Sequence, residues 1–308
     1  MIRKQLVVGI LLGVVGLSLL LALIVPRQTL QPTVGGANGV VGIVRIEGEI
    51  SDQSAAEWMA GGGGTWSVNQ QLRRAREDST VRAVVIRINS PGGSAAAAQE
   101  IAAEVERLQQ TGKPVVASLG DVAASGGYWI AAQADQVVAV PATLTGSIGV
   151  IMEWPTFEKL LKNLGVGSEV IKSGPRKDMG SATRPLSPEE RSLLQAIVDE
   201  EYQQFVEAVL HGRNGRISRE RLLEVADGRI MSGRQAQQLG LVDQLGNFYD
   251  AVQLAAELAE MEGEAEIREL AEENPWRSLF SGLRGSFGAA EGWSKSEFWQ
   301  LPAGGGWR

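Results

Sequence analysis

The sequence contains no cysteine and only one histidine, His211, among its 308 residues. Without cysteine the chain cannot carry a cysteine-protease nucleophile, a zinc–thiolate site or a disulfide framework. A single histidine cannot build a metal cluster of imidazoles, and any Ser-His-Asp triad would have to use it. His211 lies at the end of a predicted helix, just before Gly212, where a cation suits the helix C-terminus. We therefore interpret it as a helix-end residue.

An excess of basic residues is also missing. The formal net charge is −7, and charges of both signs are spread along the chain. A nucleic-acid partner normally requires a basic patch, so we expect none. Glycine, by contrast, is abundant, with 38 residues of 308. Glycine-rich sequence suits tight turns and the close approach of backbone to a ligand.

Long hydrophobic runs are limited to one, at residues 6–25, which carry no charge. Twenty apolar residues rise about 30 Å as a helix, which matches the hydrocarbon core of a bilayer. The run is long and ends in a poor cleavage site, which favours an uncleaved anchor over a removed signal peptide. Arg3 and Lys4 precede it, so the positive-inside rule keeps the N-terminus in the cytoplasm. We expect a single-pass membrane protein that contacts the lipid bilayer through residues 6–25, with the remaining chain outside the cytoplasm.

Composition divides the chain into four parts. Residues 1–26 are a cytoplasmic stub and anchor, and residues 27–38 are a polar linker with Pro and Gly. Residues 39–262 alternate β-branched strands, glycine turns and helical patterns, which predicts an α/β core of stacked ββα units. Residues 263–308 form a tail of large aromatics separated by Gly, Ser and Pro. We hypothesise that this tail lies at the headgroup level of the membrane or in a peptide-binding groove; disorder or simple packing is the alternative.

Ser125 is the first candidate for chemistry. It stands in the run Ala-Ala-Ser-Gly-Gly, between a strand and the start of a predicted helix. The glycines allow a substrate carbonyl to approach the backbone, and the helix N-terminus offers a positive dipole end to an oxyanion. A serine that only caps the helix is the alternative interpretation.

Glycines also follow the preceding buried strand, in the run Asn-Ser-Pro-Gly-Gly of residues 89–93. Backbone N–H groups in such a turn are available to a ligand and would complete an oxyanion hole. The alternative is a turn that needs glycine only for its positive φ.

A nucleophilic serine needs a base, and lysine is the remaining candidate. Lys172 and Lys177 both lie in a glycine-containing connection after a predicted strand. A lysine has a reference pKa of about 10.4, so desolvation must lower that pKa by several units for action at neutral pH. Arg176 would help to lower the pKa of a neighbouring lysine, and Asp178 would raise it. A solvated loop charge is the alternative for either lysine.

Five segments taken together resemble the signal peptide peptidase A family, which comprises bacterial membrane-bound Ser/Lys peptidases related to the Clp protease and crotonase folds. They are RINSPGG (87–93), GDVAASGGYWIA (120–131), LTGSIGV (144–150), KSGPRKDMGS (172–181) and DGRIMSGRQAQQLGLVDQLG (227–246). The resemblance covers about residues 40–255 and looks like the short form with one catalytic domain. It implies an α/β fold of the Clp protease/crotonase type after one N-terminal transmembrane helix, in the bacterial cytoplasmic membrane.

The resemblance also implies catalytic roles. Ser125 matches the nucleophile, Lys177 matches the general base, and Lys172 matches a position without that role. The resemblance implies that the backbone amide of Gly92 or Gly93, together with that of Gly126, forms the oxyanion hole. It also implies that the hydroxyl of Ser147 orients the lysine amine.

The implied reaction is acyl transfer from a peptide to the serine, followed by hydrolysis, without a metal or other cofactor. Substrates would be signal peptide remnants and other short or unfolded hydrophobic chains. Family members form dome- or ring-like homo-oligomers, and some build each active site from neighbouring subunits, so we expect a homo-oligomer. A related membrane Ser/Lys protease that cuts stomatin-like partners, a crotonase-like acyl-CoA enzyme and a non-catalytic assembly protein are the alternatives.

Overall fold

The structure, a computed structural model, describes residues 39–52 and 64–271. The predicted anchor at residues 6–25, the linker at 27–38 and residues 272–308 of the predicted tail lie outside the described residues. Within the two described ranges, no helix is both long and apolar enough to cross a membrane.

The described chain forms one mixed sheet with helices on both faces. The strands are β1 (Val40–Glu47), β2 (Val81–Ser90), β3 (Val115–Ala124), β4 (Gln136–Ala139), β5 (Leu144–Gly146), β6 (Ile230–Ser232), β7 (Gln244–Leu245) and β8 (Ile267–Glu269). The helices are α1 (Thr65–Glu77), α2 (Ala95–Gln109), α3 (Gly126–Ala132), α4 (Glu158–Asn163), α5 (Pro188–Gly212), α6 (Arg219–Leu223), α7 (Gly233–Gln238) and α8 (Phe248–Leu258). Single strands alternate with helices from β1 to β4, so the recurring unit of this part is βαβ, and two strands follow each other directly at β4 and β5.

The strand order along the main path of the sheet is β6-β5-β3-β2-β1-β8, and β4 lies between β3 and β7. All pairings are parallel except β5 with β6. The predicted tail begins at residue 263, whereas β8 at Ile267–Glu269 pairs with β1 and Leu270 is buried beside it. The sheet therefore includes part of the segment that the sequence assigns to the tail.

Alternating residues of β2 separate the two layers of the core. Ile86 and Ile88 belong to the larger core cluster, with side chains of α2 and α3, whereas Ala83 and Val85 pack with α8 on the other face. This arrangement follows from the two-residue period of a strand between two helical layers. Complete burial of a side chain such as that of Ile86 contributes about 1.5–3 kcal/mol.

Strand β3 changes its partner partway along its length, and this change positions the site. Its first half pairs with β4, from Val116 to Leu119, and its last residues, Val122 to Ala124, pair with β5. The carboxyl ends of β2, β3 and β5 therefore meet at one edge of the sheet. Glycine- and serine-rich turns leave all three strands at that edge.

Candidate active site

Ser125 occupies the sharp turn between β3 and α3. Its backbone has φ 51° and ψ −123°, a positive-φ conformation that residues other than glycine rarely adopt. The turn is held by two backbone hydrogen bonds of 2.9 Å, from the Ser125 N–H to the Gly146 carbonyl and from the Trp129 N–H to the Ser125 carbonyl. The Ser125 side chain makes no capping hydrogen bond to α3, so the helix-cap interpretation does not explain this serine. Strained backbone of this kind costs about 1–3 kcal/mol and is concentrated at functional sites.

Gly92 and Gly93 lie directly against this turn. A Cβ atom on Gly92, whose φ is +106°, would stand 2.7 Å from the Ser125 Cβ and 2.9 Å from the Gly126 nitrogen. A Cβ atom on Gly93 would collide with the backbone of Ile50. Ile50 binds both sides of this pair, because its N–H donates to the Gly92 carbonyl and its carbonyl accepts from the Ser94 N–H, each at 2.8 Å. Both positions therefore need glycine for close backbone approach.

The hydrogen bonds of these glycines distinguish the candidate oxyanion donors. The Gly92 N–H donates to the Ser90 Oγ at 3.1 Å. Among the described residues, the N–H groups of Gly93 and Gly126 have no hydrogen-bond acceptor. The two groups are neighbours, since a Cβ on Gly126 would lie 3.5 Å from the Gly93 nitrogen. Two unpaired backbone donors beside a serine side chain are the arrangement that stabilises a tetrahedral oxyanion.

Ser147 lies beside Ser125 at the ends of two paired strands. Ala124 of β3 is the register partner of Gly146 of β5, and each serine follows directly. Ser147 also has a positive φ, 50°, and its N–H donates to the Arg229 carbonyl at 2.8 Å. The structure thus brings together the predicted serines and glycines of the site.

Lys177, the predicted base, makes no hydrogen bond to Ser125 or Ser147 within the described residues. Its side chain is exposed, and its amine has no hydrogen-bond or ion-pair partner in the part of the chain that the structure describes. The Lys172 amine, by contrast, donates to the Pro175 carbonyl at 3.0 Å and to Asp178 at 2.7 Å. The sequence offers Lys172 and Lys177 as candidate bases. Within the described residues the Lys172 amine is hydrogen-bonded and the Lys177 amine is not.

A network of charges that the sequence did not reveal holds the loop of Lys177. The Arg184 guanidinium binds the carboxylates of Asp178 and Glu190, with a shortest distance of 2.7 Å to each. Hydrogen bonds from Arg184 lower the pKa of Asp178 and lower that of Glu190 to about 2. The Ser-Pro-Glu-Glu start of α5 is visible in the sequence as a capping box, but no periodic pattern joins it to residues 178 and 184.

Similar sequences occur in a known peptidase family and in proteases of several bacteria. The sequence model of peptidase family S49 matches residues 107–262. Protease 4 of Haemophilus influenzae is 38% identical over 233 residues, which are 76% of this chain and 37% of that protein. A protein of Enterococcus faecium with the provisional name signal peptide peptidase SppA is 34% identical over 81% of this chain and 79% of its own length.

The chain spans only 37% and 36% of the Protease 4 sequences of Haemophilus influenzae and Salmonella typhi. A solved membrane-bound stomatin-specific protease aligns with 77% of this chain and 99% of its own, at 15% identity and a TM-score of 0.46.

Proposed function

Because the chain belongs to peptidase family S49, we propose that it is a membrane-anchored serine endopeptidase that uses a Ser125/Lys177 dyad. The observation that carries the proposal is the strained turn at Ser125, beside the unpaired N–H groups of Gly93 and Gly126. A serine with an uncommitted hydroxyl and two convergent backbone donors suits acyl transfer. It suits neither a helix cap nor a simple turn.

The proposed reaction proceeds in two halves. Neutral Lys177 accepts the proton of the Ser125 Oγ while that oxygen attacks the peptide carbonyl carbon. The oxyanion accepts hydrogen bonds from the N–H groups of Gly93 and Gly126, and Lys177 then donates the proton to the leaving amine. Water then gives a proton to Lys177 and attacks the acyl carbonyl carbon, and Lys177 returns that proton to the Ser125 Oγ as the ester bond breaks and the second product leaves. In comparable hydrolases, removal of one oxyanion-hole donor lowers kcat by a factor of about 10²–10³.

We propose that Gly92 leaves space for the Ser125 turn and does not donate a hydrogen bond to the oxyanion. Its N–H is already bound to Ser90, so Gly93 supplies the second donor in our proposal. Because Gly92 has no Cβ atom, the Ser125 side chain and the Gly126 nitrogen can lie close to its backbone without a clash. Ser147 is proposed to orient the Lys177 amine, because it is the neighbouring hydroxyl at the same sheet edge.

Lys177 is proposed to reach Ser125 of a neighbouring copy in a homo-oligomer. The segment of the chain that precedes Lys177 exposes large apolar side chains, among them Leu164, Val166 and Ile171, whose exposed fractions are 66%, 52% and 100%. Exposed apolar patches mark surfaces that bind another protein or a membrane. A second copy that covers this segment would exclude water from the Lys177 amine.

The proposed substrates are signal peptide remnants and other short or unfolded hydrophobic chains. Apolar side chains of Ile151 and Met152 are exposed a few residues after Ser147, close along the chain to the proposed site. A catalytic domain outside the cytoplasm, anchored by residues 6–25, would meet such peptides at the membrane surface.

Cleavage of a fluorogenic hydrophobic peptide by the full chain in detergent, from pH 6 to 10, tests the dyad. We expect Ser125→Ala and Lys177→Ala to abolish turnover. Lys172→Ala should retain measurable activity, and Lys162→Ala, which removes an exposed lysine of α4, controls for loss of charge alone. Full activity of Lys177→Ala would remove it as the base, and an active Ser125→Ala would end the proposal.

Mixing two inactive variants tests the shared site. If Lys177 serves a neighbouring copy, Ser125→Ala and Lys177→Ala chains co-assembled in equal amounts should regain a substantial fraction of activity. An assembled mixture that remains inert would contradict a dyad built from two copies.

A further inference from the structure

We propose that Arg184 is a positioning residue that fixes the loop of residues 172–178 to the first turn of α5 and so sets where the Lys177 amine is presented. The inference rests on the proposed role of Lys177 as base. It adds a residue that contacts neither substrate nor nucleophile and acts only through the lysine.

Arg184 connects two parts of the chain, and the first of them is the loop of residues 172–178. The Arg184 Nε and Nη2 donate to the two Asp178 carboxylate oxygens at 3.0 and 2.7 Å. Lys172 donates to the same carboxylate at 2.7 Å, which closes the loop around residues 173–177. Backbone turns complete it, since the Lys177 N–H donates to the Gly174 carbonyl at 3.2 Å. The backbone of Lys177 is therefore held while its side chain remains exposed.

The second part is the first turn of α5, a helix of 25 residues. Arg184 Nη1 and Nη2 donate to the two Glu190 oxygens at 2.8 and 2.7 Å. Glu190 in turn accepts from the Ser187 N–H at 3.0 Å in a capping box, and its side chain is only 6% exposed. A bidentate guanidinium between two fixed carboxylates is a geometry that a lysine ammonium cannot reproduce. The long helix thus sets the position of the lysine loop through one side chain.

The test compares Arg184→Gln and Arg184→Lys in the full chain in detergent. We expect Arg184→Gln to lower kcat by about 10- to 100-fold with little change in KM, because misplacement by about 1 Å costs about 10² in rate. Arg184→Lys should also have a reduced kcat, because an ammonium cannot bind the two carboxylates in the bidentate way that a guanidinium does.

Arg221→Gln is the matched control, because it removes the same group from an exposed ion pair with Glu224. A second readout is hydrogen exchange of the peptide that carries residues 172–178, measured by mass spectrometry, which should be faster in Arg184→Gln than in the unsubstituted protein. Thermal unfolding identifies any variant that does not fold, and if Arg184→Gln fails, Arg184→Lys decides on kcat.

An unchanged kcat in folded Arg184 variants would overturn the inference. If Lys177→Ala is fully active while Arg184→Gln still speeds exchange in this loop, the proposed dyad is wrong but the link between Arg184 and the loop stands. If neither exchange nor turnover responds to Arg184→Gln while Lys177→Ala is inactive, the dyad stands and the positioning role falls.

Discussion

Replacing Gly92 by alanine should disable the site while the sheet remains folded. The added methyl would lie 2.7 Å from the Ser125 Cβ and 2.9 Å from both the Ala124 carbonyl oxygen and the Gly126 nitrogen. Carbon atoms pack at about 3.5–4.0 Å, so the turn must move by roughly 0.5 Å or more. Two of these contacts belong to the nucleophile and to a proposed oxyanion donor, and the third belongs to the peptide bond that joins Ala124 to Ser125, so the shift falls on the reacting geometry. A displacement approaching 1 Å costs about 10² in rate.

Gly112→Ala separates this effect from backbone strain. Gly112 also has a positive φ, +81°, but a Cβ there would meet nothing within 4 Å. Both substitutions force alanine into an unfavourable conformation, which costs about 1–3 kcal/mol. We expect kcat/KM for a fluorogenic peptide to fall about 100-fold or more in Gly92→Ala and less than about threefold in Gly112→Ala. Equal activity of the two variants, with both folded by thermal melting, would refute the close-packing argument.

Two further predictions concern stability. Ser125→Gly should unfold at a higher temperature than Ser125→Ala, by an amount equivalent to about 0.5–2 kcal/mol, because glycine relieves the positive φ at this turn; equal melting temperatures would show that the turn is unstrained. Asp243→Ala should destabilise the protein by about 3–5 kcal/mol, because it strands a buried arginine: the Arg213 side chain is 0% exposed and binds Asp243 at 2.6 Å. The double variant Arg213→Met/Asp243→Ala should recover part of that loss in denaturant unfolding, and strictly additive losses would contradict the pairing.

The sequence predicts the alternating core well, because strand and helix periods are local properties. The alternation of strands and helices that the sequence predicts within residues 39–262 is found from β1 to β4. The serines and glycines of the site also come together, since each follows a parallel strand whose carboxyl end lies at the same edge. Turn residues after such strands are visible in a single sequence.

Other features depend on contacts that no local pattern records. The choice of Gly93 over Gly92 as donor depends on the Ser90 Oγ, which occupies the Gly92 N–H. The network through Arg184 joins residues six positions apart in a loop without regular structure. The described residues contain no hydrogen bond between Ser125 and the Lys177 amine, and neither the strand period nor the motif spacing determines how the two would meet.

Identification of the nucleophilic residue by covalent labelling tests the central claim most directly. The full chain would be treated with a fluorophosphonate at pH 8–9, and the modified peptide would be located by mass spectrometry. We predict one adduct, on Ser125, absent from Ser125→Ala and formed much more slowly in Lys177→Ala. An adduct on another serine, or peptide cleavage that continues in Ser125→Ala, would contradict the account.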